Sequence, residues 1–225
     1  NITGVEKNAI KEIAERTGAR KVFLEEEPKV AAVGAGIDIA KPSGSMVIDI
    51  GGGTTDIAVL SLGGIVTSDS IKVAGNTFDE DIANYIKEKY KVIIGEKTSE
   101  DIKTSIGTVI KDKNNREIEI TGRSVSSGLP ETVKVNSNDI EEALREDIKR
   151  IILSAKGVLE KTPPELSADI AEKGIVLTGG GALINGLVGK LKEELKVPVF
   201  ISDNPLTNVV EGTGILLDNI YLIDN

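Results

Sequence analysis

The sequence predicts an α/β fold, and three observations predict it. Apolar runs at residues 45–50, 55–62 and 65–73, joined by glycine turns at 51–53 and 63–64, read as three strands in succession. An amphipathic stretch over 78–90 follows, with Phe78, Ile82, Tyr85 and Ile86 facing inward. Further along, 174–183 reads as a buried strand that enters a triple glycine and then opens a helix through Leu195.

Taken in order, residues 5–17 carry Val5, Ala9, Ile10, Ile13 and Ala14 on one helical face and stop at Gly18. A short strand is expected at 21–24. Pro28 suits the first turn of a small helix ending at Ala35, and 39–43 reads as a linker. Beyond the 78–90 helix the chain changes character. Residues 92–135 hold a helix at 99–106, a charged stretch at 111–117 and two short strands at 117–121 and 131–135, the make-up of a small inserted α+β subdomain. A long helix over 139–161 carries Ile140, Leu144, Ile148, Ile151, Ala155 and Leu159 at spacings of three and four. Asn138 with Glu141 has the pattern of a capping box, and Pro163-Pro164 ends the helix. Strands at 174–178 and 197–201 flank the glycine-led helix, and 209–222 closes the chain. Its apolar run of Ile215, Leu216, Leu217, Ile220, Tyr221, Leu222 and Ile223 reads as a core helix. Asp218 and Asp224, with no basic residues alongside, argue against a membrane-seeking face.

Composition narrows the chemistry. The 225 residues are enough to bury a substantial core. With aromatics at 3%, that core must rest on Ile, Val, Leu and Ala. A net charge of −9 argues against nucleic acid as a partner, because phosphate backbones need basic patches. The absence of histidine removes Ser–His and Cys–His hydrolases and every His-ligated metal site. The absence of cysteine removes disulfides and agrees with a reducing cytosol. No apolar run approaches the ~20 residues a membrane-spanning helix needs, and no signal peptide opens the chain.

The richest stretch is 46–62. Asp49-Ile50-Gly51-Gly52-Gly53-Thr54-Thr55 joins two strands through a glycine-and-hydroxyl turn. Successive N–H groups in such a turn form an anion-binding concavity, and an acid at the strand end can hold a hydrated divalent cation beside the anion. That pattern implies a nucleotide phosphate chelated to a metal; an ordinary glycine hairpin is the plain alternative. The second cluster, Leu177-Thr178-Gly179-Gly180-Gly181-Ala182, would let a flat ligand lie against bare backbone. The pair resembles the phosphate and adenosine motifs of the actin, sugar kinase and heat-shock chaperone ATPase superfamily.

Other segments narrow the resemblance to the MreB family of bacterial actins. They are Leu24-Glu25-Glu26-Glu27-Pro28, Leu62-Gly63-Gly64-Ile65-Val66, Ser68-Asp69-Ser70-Ile71, Val135-Asn136-Ser137-Asn138, Pro163-Pro164-Glu165-Leu166 and Asp203-Asn204-Pro205-Leu206-Thr207. They occur in the family order and run almost end to end. The family pattern opens on a further hairpin of the type Asp-x-Gly-Thr-Ala-Asn, the other phosphate jaw, and nothing of that type stands among these residues.

The resemblance implies an actin-like (ribonuclease H-like) fold: a mixed sheet flanked by helices, with a small inserted subdomain. Residues 1–40 would end a first domain. Residues 41–91 and 160–212 would form the second large domain, 92–159 the insertion, and 213–225 a terminal helix packing back on the first domain. It implies ATP or ADP with Mg²⁺ as ligands, and ATP hydrolysis coupled to filament assembly for cell shape. Gly51, Gly52, Gly53, Thr54 and Thr55 would hold the phosphates, and Asp49 the Mg²⁺ through water. Glu27 would activate the attacking water, with Thr54 orienting it. Glu100 and Lys103, three apart on one helix face, would grip ribose and adenine, or simply form a surface ion pair. Gly179, Gly180, Gly181 and Ala182 would bed the adenosine. Gly75 and Asn76 either approach the phosphates or cap their helix, and Asp203 lies in a nearby loop. Partners implied are further copies of the chain, the inner membrane surface and morphogenesis proteins, in a cytoplasmic, membrane-associated setting. A sugar- or acetate-type kinase and a non-hydrolysing scaffold are the alternatives.

Overall fold

Two sheets organise the chain, whose computed structural model describes residues 3–219. The first sheet is built from β1 (Ser45–Ile50), β2 (Thr55–Ser61), β3 (Gly64–Ile71), β7 (Ile175–Thr178) and β8 (Val199–Ile201), in the order β3-β2-β1-β7-β8. The meander β1-β2-β3 is antiparallel, whereas β1, β7 and β8 run parallel. The second sheet contains β4 (Val92–Ile93), β5 (Glu117–Ser124) and β6 (Pro130–Asn136). The helices are α1 (Gly4–Arg16), α2 (Glu27–Gly34), α3 (Gly75–Tyr90), α4 (Glu96–Ile106), α5 (Ser137–Lys161), α6 (Pro164–Lys173), α7 (Leu187–Leu195) and α8 (Asn208–Asp218). None of these is long and apolar enough to cross a membrane.

The strands alternate as a sheet covered on both faces requires. Met46, Ile48, Ile50, Ile57 and Val59 face one core, which continues through α3, α4, α5, β5, β6 and α7. Because Ile102, Ile120 and Val135 of the insertion share that core, the insertion is packed onto the main sheet and is not a separate bead. Val47, Ala58 and Leu60 face the other way, against Val30, Ala32 and Val33 of α2 and Leu216 of α8. Between these two helices there is no room for side chains. A Cβ on Gly34 would lie 1.8 Å from the Asn208 carbonyl oxygen, and one on Gly212 2.0 Å from that of Val30.

Several expectations shift. The turn expected at 63–64 is formed by Leu62 (φ 52°) and Gly63 (φ 79°), so that Gly64 already belongs to β3. Two successive positive φ values match the twist of the flanking strands. The strained Leu62 is held by its N–H on the Lys41 carbonyl, with the Gly63 N–H on that of Ile39. The strand expected at 21–24 is irregular chain, since no described residue pairs with it. The apolar face of α1 has no buried residue, with Val5 80% and Ile13 63% exposed.

The capping box of α5 is Asn136 with Asp139, not Asn138 with Glu141. Asn136 is the last extended residue; its side chain accepts from the Asp139 N–H at 3.1 Å while Asp139 accepts from the Asn136 N–H at 3.2 Å. Asn138 instead donates to Asn115 and to the Asp112 carbonyl. Helix α6 was not expected at all. The helix expected directly after the triple glycine is a 3-10 turn, Gly180–Leu183, and α7 begins only after Gly186. The closing helix starts at Asn208, so the expected division at 212/213 falls inside it. Ile220, Tyr221, Leu222, Ile223 and Asp224 lie outside the described residues.

Candidate active site

The two glycine turns meet because β1 and β7 are neighbouring parallel strands, and both turns leave their carboxyl ends. Open α/β sheets bind ligands at that edge. Gly179 is the point of contact. At φ 81° it takes a left-handed conformation, and a Cβ there would lie 2.3 Å from the Ile50 carbonyl oxygen and 2.5 Å from Asp49 Oδ1. Gly181 is also fixed by packing, since a Cβ would fall 2.2 Å from Ile50 Cγ2. Gly180 differs: it is exposed, and a Cβ would meet only the end of the exposed Leu206 side chain, at 3.2 Å. Ala182 is fully buried behind the turn.

The first turn closes through the Gly51 N–H on the Thr54 carbonyl at 3.0 Å, which removes Gly51 from the set of donors free for a ligand. Among the described residues no hydrogen bond engages the N–H groups of Gly52, Gly53 or Thr54, and Gly52 and Gly53 are exposed. Helix α3 holds this turn from behind. The Gly75 N–H donates to the Gly51 carbonyl at 3.0 Å and the Asn76 N–H to that of Gly52 at 2.8 Å. Gly75 and Asn76 thus commit two of the helix's unsatisfied donors to the hairpin backbone. Thr55 is fully buried with its hydroxyl donated to the Val73 carbonyl at 2.6 Å, a bracing bond within the fold.

Three carboxylates gather on the α2 side of the sheet. Asp49 is the last but one residue of β1, Asp56 stands directly opposite it on β2, and Glu27 opens α2. Burial first, then the charges of Glu27 and Asp56, push Asp49 up to about 7. Partial loss of water around its carboxyl and then the Asp56 charge also raise Glu27, although the residue as a whole is exposed. No three acids among the described residues lie close enough to ligate one ion directly. Asp49, the most buried of the three, nevertheless suits Mg²⁺, which prefers hard oxygen ligands and keeps its waters.

Lys103 and Glu100 project from α4, as the sequence predicts, but they do different things. Lys103 Nζ lies 2.6 Å from Asp79 Oδ2 and 3.0 Å from the Gly75 carbonyl, so it ties α4 to the helix that braces the first glycine turn. Glu100 is exposed beside Lys97 at 3.3 Å. Asp203 is exposed. The second turn is braced instead by Pro205 of the same loop and by Asn208, which the sequence reading did not single out. The Pro205 carbonyl accepts from the Gly179 N–H at 2.9 Å and from Thr178 Oγ1 at 3.2 Å, and the buried Asn208 donates to Thr178 at 2.9 Å. Asp56 was missed as well, although a second acid just past the hydroxyl pair was a signal open to reading.

Over residues 1–225 the chain matches the MreB/Mbl protein family. It belongs to that family. It is 61% identical over 220 residues to the cell shape-determining protein Mbl of Bacillus subtilis, an alignment covering 98% of this chain and 66% of Mbl. It is 49% identical over 218 residues to the cell shape-determining protein MreB of Escherichia coli, covering 97% of this chain and 63% of that one. The structure of MreB5 of Spiroplasma citri bound to ADP superposes with a TM-score of 0.94 at 45% identity, covering 98% of this chain and 67% of MreB5. The AMPPNP-bound form of the same protein gives the same TM-score. This member of the MreB/Mbl family therefore has the actin-like fold and spans 66% of the length of its Bacillus relative.

Proposed function

We propose that the protein carrying these residues is an actin-like ATPase that assembles into cytoskeletal filaments and sets cell shape. One observation carries the reading: two glycine turns lie side by side at the carboxyl ends of β1 and β7, with Glu27, Asp49 and Asp56 gathered beside them. The N–H groups of Gly52, Gly53 and Thr54 are suited to the β- and γ-phosphates. Gly180 offers bare backbone to the adenosine, with Glu100 and Lys103 across the cleft. Mg²⁺, when bound, neutralises charge on the phosphates, and Asp49 holds it through water. Glu27, raised by its surroundings, takes the proton of a water whose oxygen attacks the γ-phosphorus. The bond from that phosphorus to the ADP oxygen breaks, and ADP and inorganic phosphate leave.

The division into domains belongs to the same reading, with α2 and α8 as the joint between a first domain and the sheet described here. Nucleotide would bias how the domains close, and closure would bias contacts between successive copies joined head to tail. Further copies of the chain, the cytoplasmic membrane surface and morphogenesis proteins are the partners this implies. Nucleic acid is not among them.

The test uses the full-length protein, with phosphate release and pelleting followed together. Acceptor-independent phosphate release and sedimenting polymer above a critical concentration are expected. ADP formed only with a sugar or acetate acceptor, with the phosphoryl group on that acceptor and no inorganic phosphate released, would turn the reading into a kinase. A protein that stays monomeric at high concentration, with no release in any nucleotide or salt condition, would overturn it in favour of a scaffold.

A further inference from the structure

Asp56 is a half-buried acid set beside two others. Residues directly opposite on antiparallel strands share a face, and like charges there destabilise the pair. Asp56 stands opposite Asp49, and its charge also acts on Glu27. No ion pair among the described residues relieves it: Lys103 is engaged by Asp79, and Lys29, near Glu27 on α2, lies 3.1 Å from Glu25. Thr178 and Asn208, which brace the neighbouring turn, carry no charge. Among the described residues, the side-chain hydrogen bond of Asp56 is with Thr54, whose Oγ1 donates to Asp56 Oδ2 at 2.7 Å.

A threonine hydroxyl has one proton and two lone pairs. With its proton committed to Asp56, Thr54 Oγ1 can only accept from any further partner. We propose that Asp56 is a positioning residue for the attacking water: by accepting the hydrogen bond of the Thr54 hydroxyl it leaves Thr54 as an acceptor, so that a water between Thr54 and Glu27 donates one hydrogen bond to each and turns its oxygen lone pair outward. A free threonine hydroxyl could instead donate to that water and occupy the lone pair needed for attack. The Asp56 charge serves the same end a second way, since it makes Glu27 a stronger base. The proposal rests on the ATPase reading above.

Two variants of the full-length protein separate these effects. Asp56→Asn keeps an oxygen that can accept from Thr54 but removes the charge; Asp56→Ala removes both. Phosphate release under saturating ATP is measured against pH, with affinity for a non-hydrolysable ATP analogue as the control for folding. For Asp56→Asn the acid limb of the profile moves to lower pH, with a modest fall in the plateau rate. For Asp56→Ala the limb moves likewise and kcat falls by about 10-fold or more, within the range of acid–base positioning effects, while KM and analogue affinity hold. In a Thr54→Ala background the additional effect of Asp56→Ala on kcat shrinks to that of the charge alone. An Asp56→Ala protein that binds the analogue and keeps the parental kcat and pH profile overturns the proposal. Loss of analogue binding in both variants overturns it too, because Asp56 would then serve the fold or the ligand and not the water. A parent that binds ATP without releasing phosphate refutes the hydrolase reading itself, a result distinct from either.

Discussion

Lys103 on α4 and Asp79 on α3 form an ion pair at 2.6 Å whose side chains are only 15% and 10% exposed, and the same ammonium donates to the carbonyl of Gly75 at the start of α3. The pair sits directly behind the first glycine turn, because the Gly75 N–H holds Gly51. Removing one partner leaves the other charge with little access to water. Lys103→Met is expected to destabilise the protein by about 3 kcal/mol, the low end for breaking a buried pair. Replacing both, as Lys103→Met with Asp79→Leu, recovers most of that loss. Denaturant melts of the two variants check it: equal losses would mean the pair contributes nothing beyond packing.

The three glycines of the second turn should separate cleanly. Gly181→Ala forces a Cβ to within 2.2 Å of Ile50 Cγ2 and costs about 1–3 kcal/mol of stability by overpacking. Gly180→Val meets only the movable end of Leu206 and leaves the melting temperature nearly unchanged. Its loss appears in adenine-nucleotide affinity, at least about tenfold, equivalent to roughly 1.4 kcal/mol. Calorimetric titration with ADP beside thermal melts decides between them, and undiminished affinity in a folded Gly180→Val protein removes Gly180 from the site.

Glu27 opens α2 with its carboxyl raised by partial loss of water and by Asp56. In the full-length protein, Glu27→Ala is expected to slow phosphate release by about 10²-fold with ATP binding near normal, the usual scale for a positioned base. Single-turnover release and analogue titration report the two quantities separately. A rate within a few-fold of the parent would reduce Glu27 to a surface acid.

Asp147 of α5 is 3% exposed, and burial together with Asp81 of α3 raises it to about 6 from its ordinary 3.8. Between those values the folded chain holds a proton that the unfolded chain has released. The stabilisation is therefore complete below 3.8 and lost as pH rises through about 6. Asp147→Asn keeps the shape without the charge. It should raise the melting temperature at pH 7.5 by roughly 2–4 °C, the response of a chain this size to about 1 kcal/mol, and flatten stability between pH 4 and 6.5. A variant less stable than the parent at pH 7.5 would assign the net contribution to the Arg150 ion pair at 3.6 Å.

What the sequence made legible was local. The strand–glycine–strand unit at 45–61 declares itself through apolar runs and a turn that both lie within a few residues, and α5 through a stripe at spacings of three and four. What it hid was set by distant partners or by residues with two readings. Residues 21–24 have strand composition, but a strand needs a neighbour and none of the described residues supplies one. Pro163-Pro164 signals the end of α5, yet proline equally suits a first helical turn, and so α6 went unseen. The cap of α5 fell two residues early because Asn136 is still paired with Glu117 across β5 and β6. In the site, Gly180 and Gly181 look alike in sequence; only the position of Ile50 separates the one open to a ligand from the one fixed by packing. Asp56 stands in plain view after the hydroxyl pair, but its place opposite Asp49 comes from strand register.

The close contact of α2 with α8 has a mechanical consequence. Side chains between two helices act as a compliant layer, able to change rotamer and let one slide past the other. At Gly34 and Gly212 that layer is absent, and backbone bears on backbone. A shift of α8 along its axis must therefore carry α2 with it, and Glu27 rides on the first turn of α2. At its own first residue α8 also holds the second glycine turn, through Asn208 on Thr178, so Glu27 and that turn are coupled through one helix.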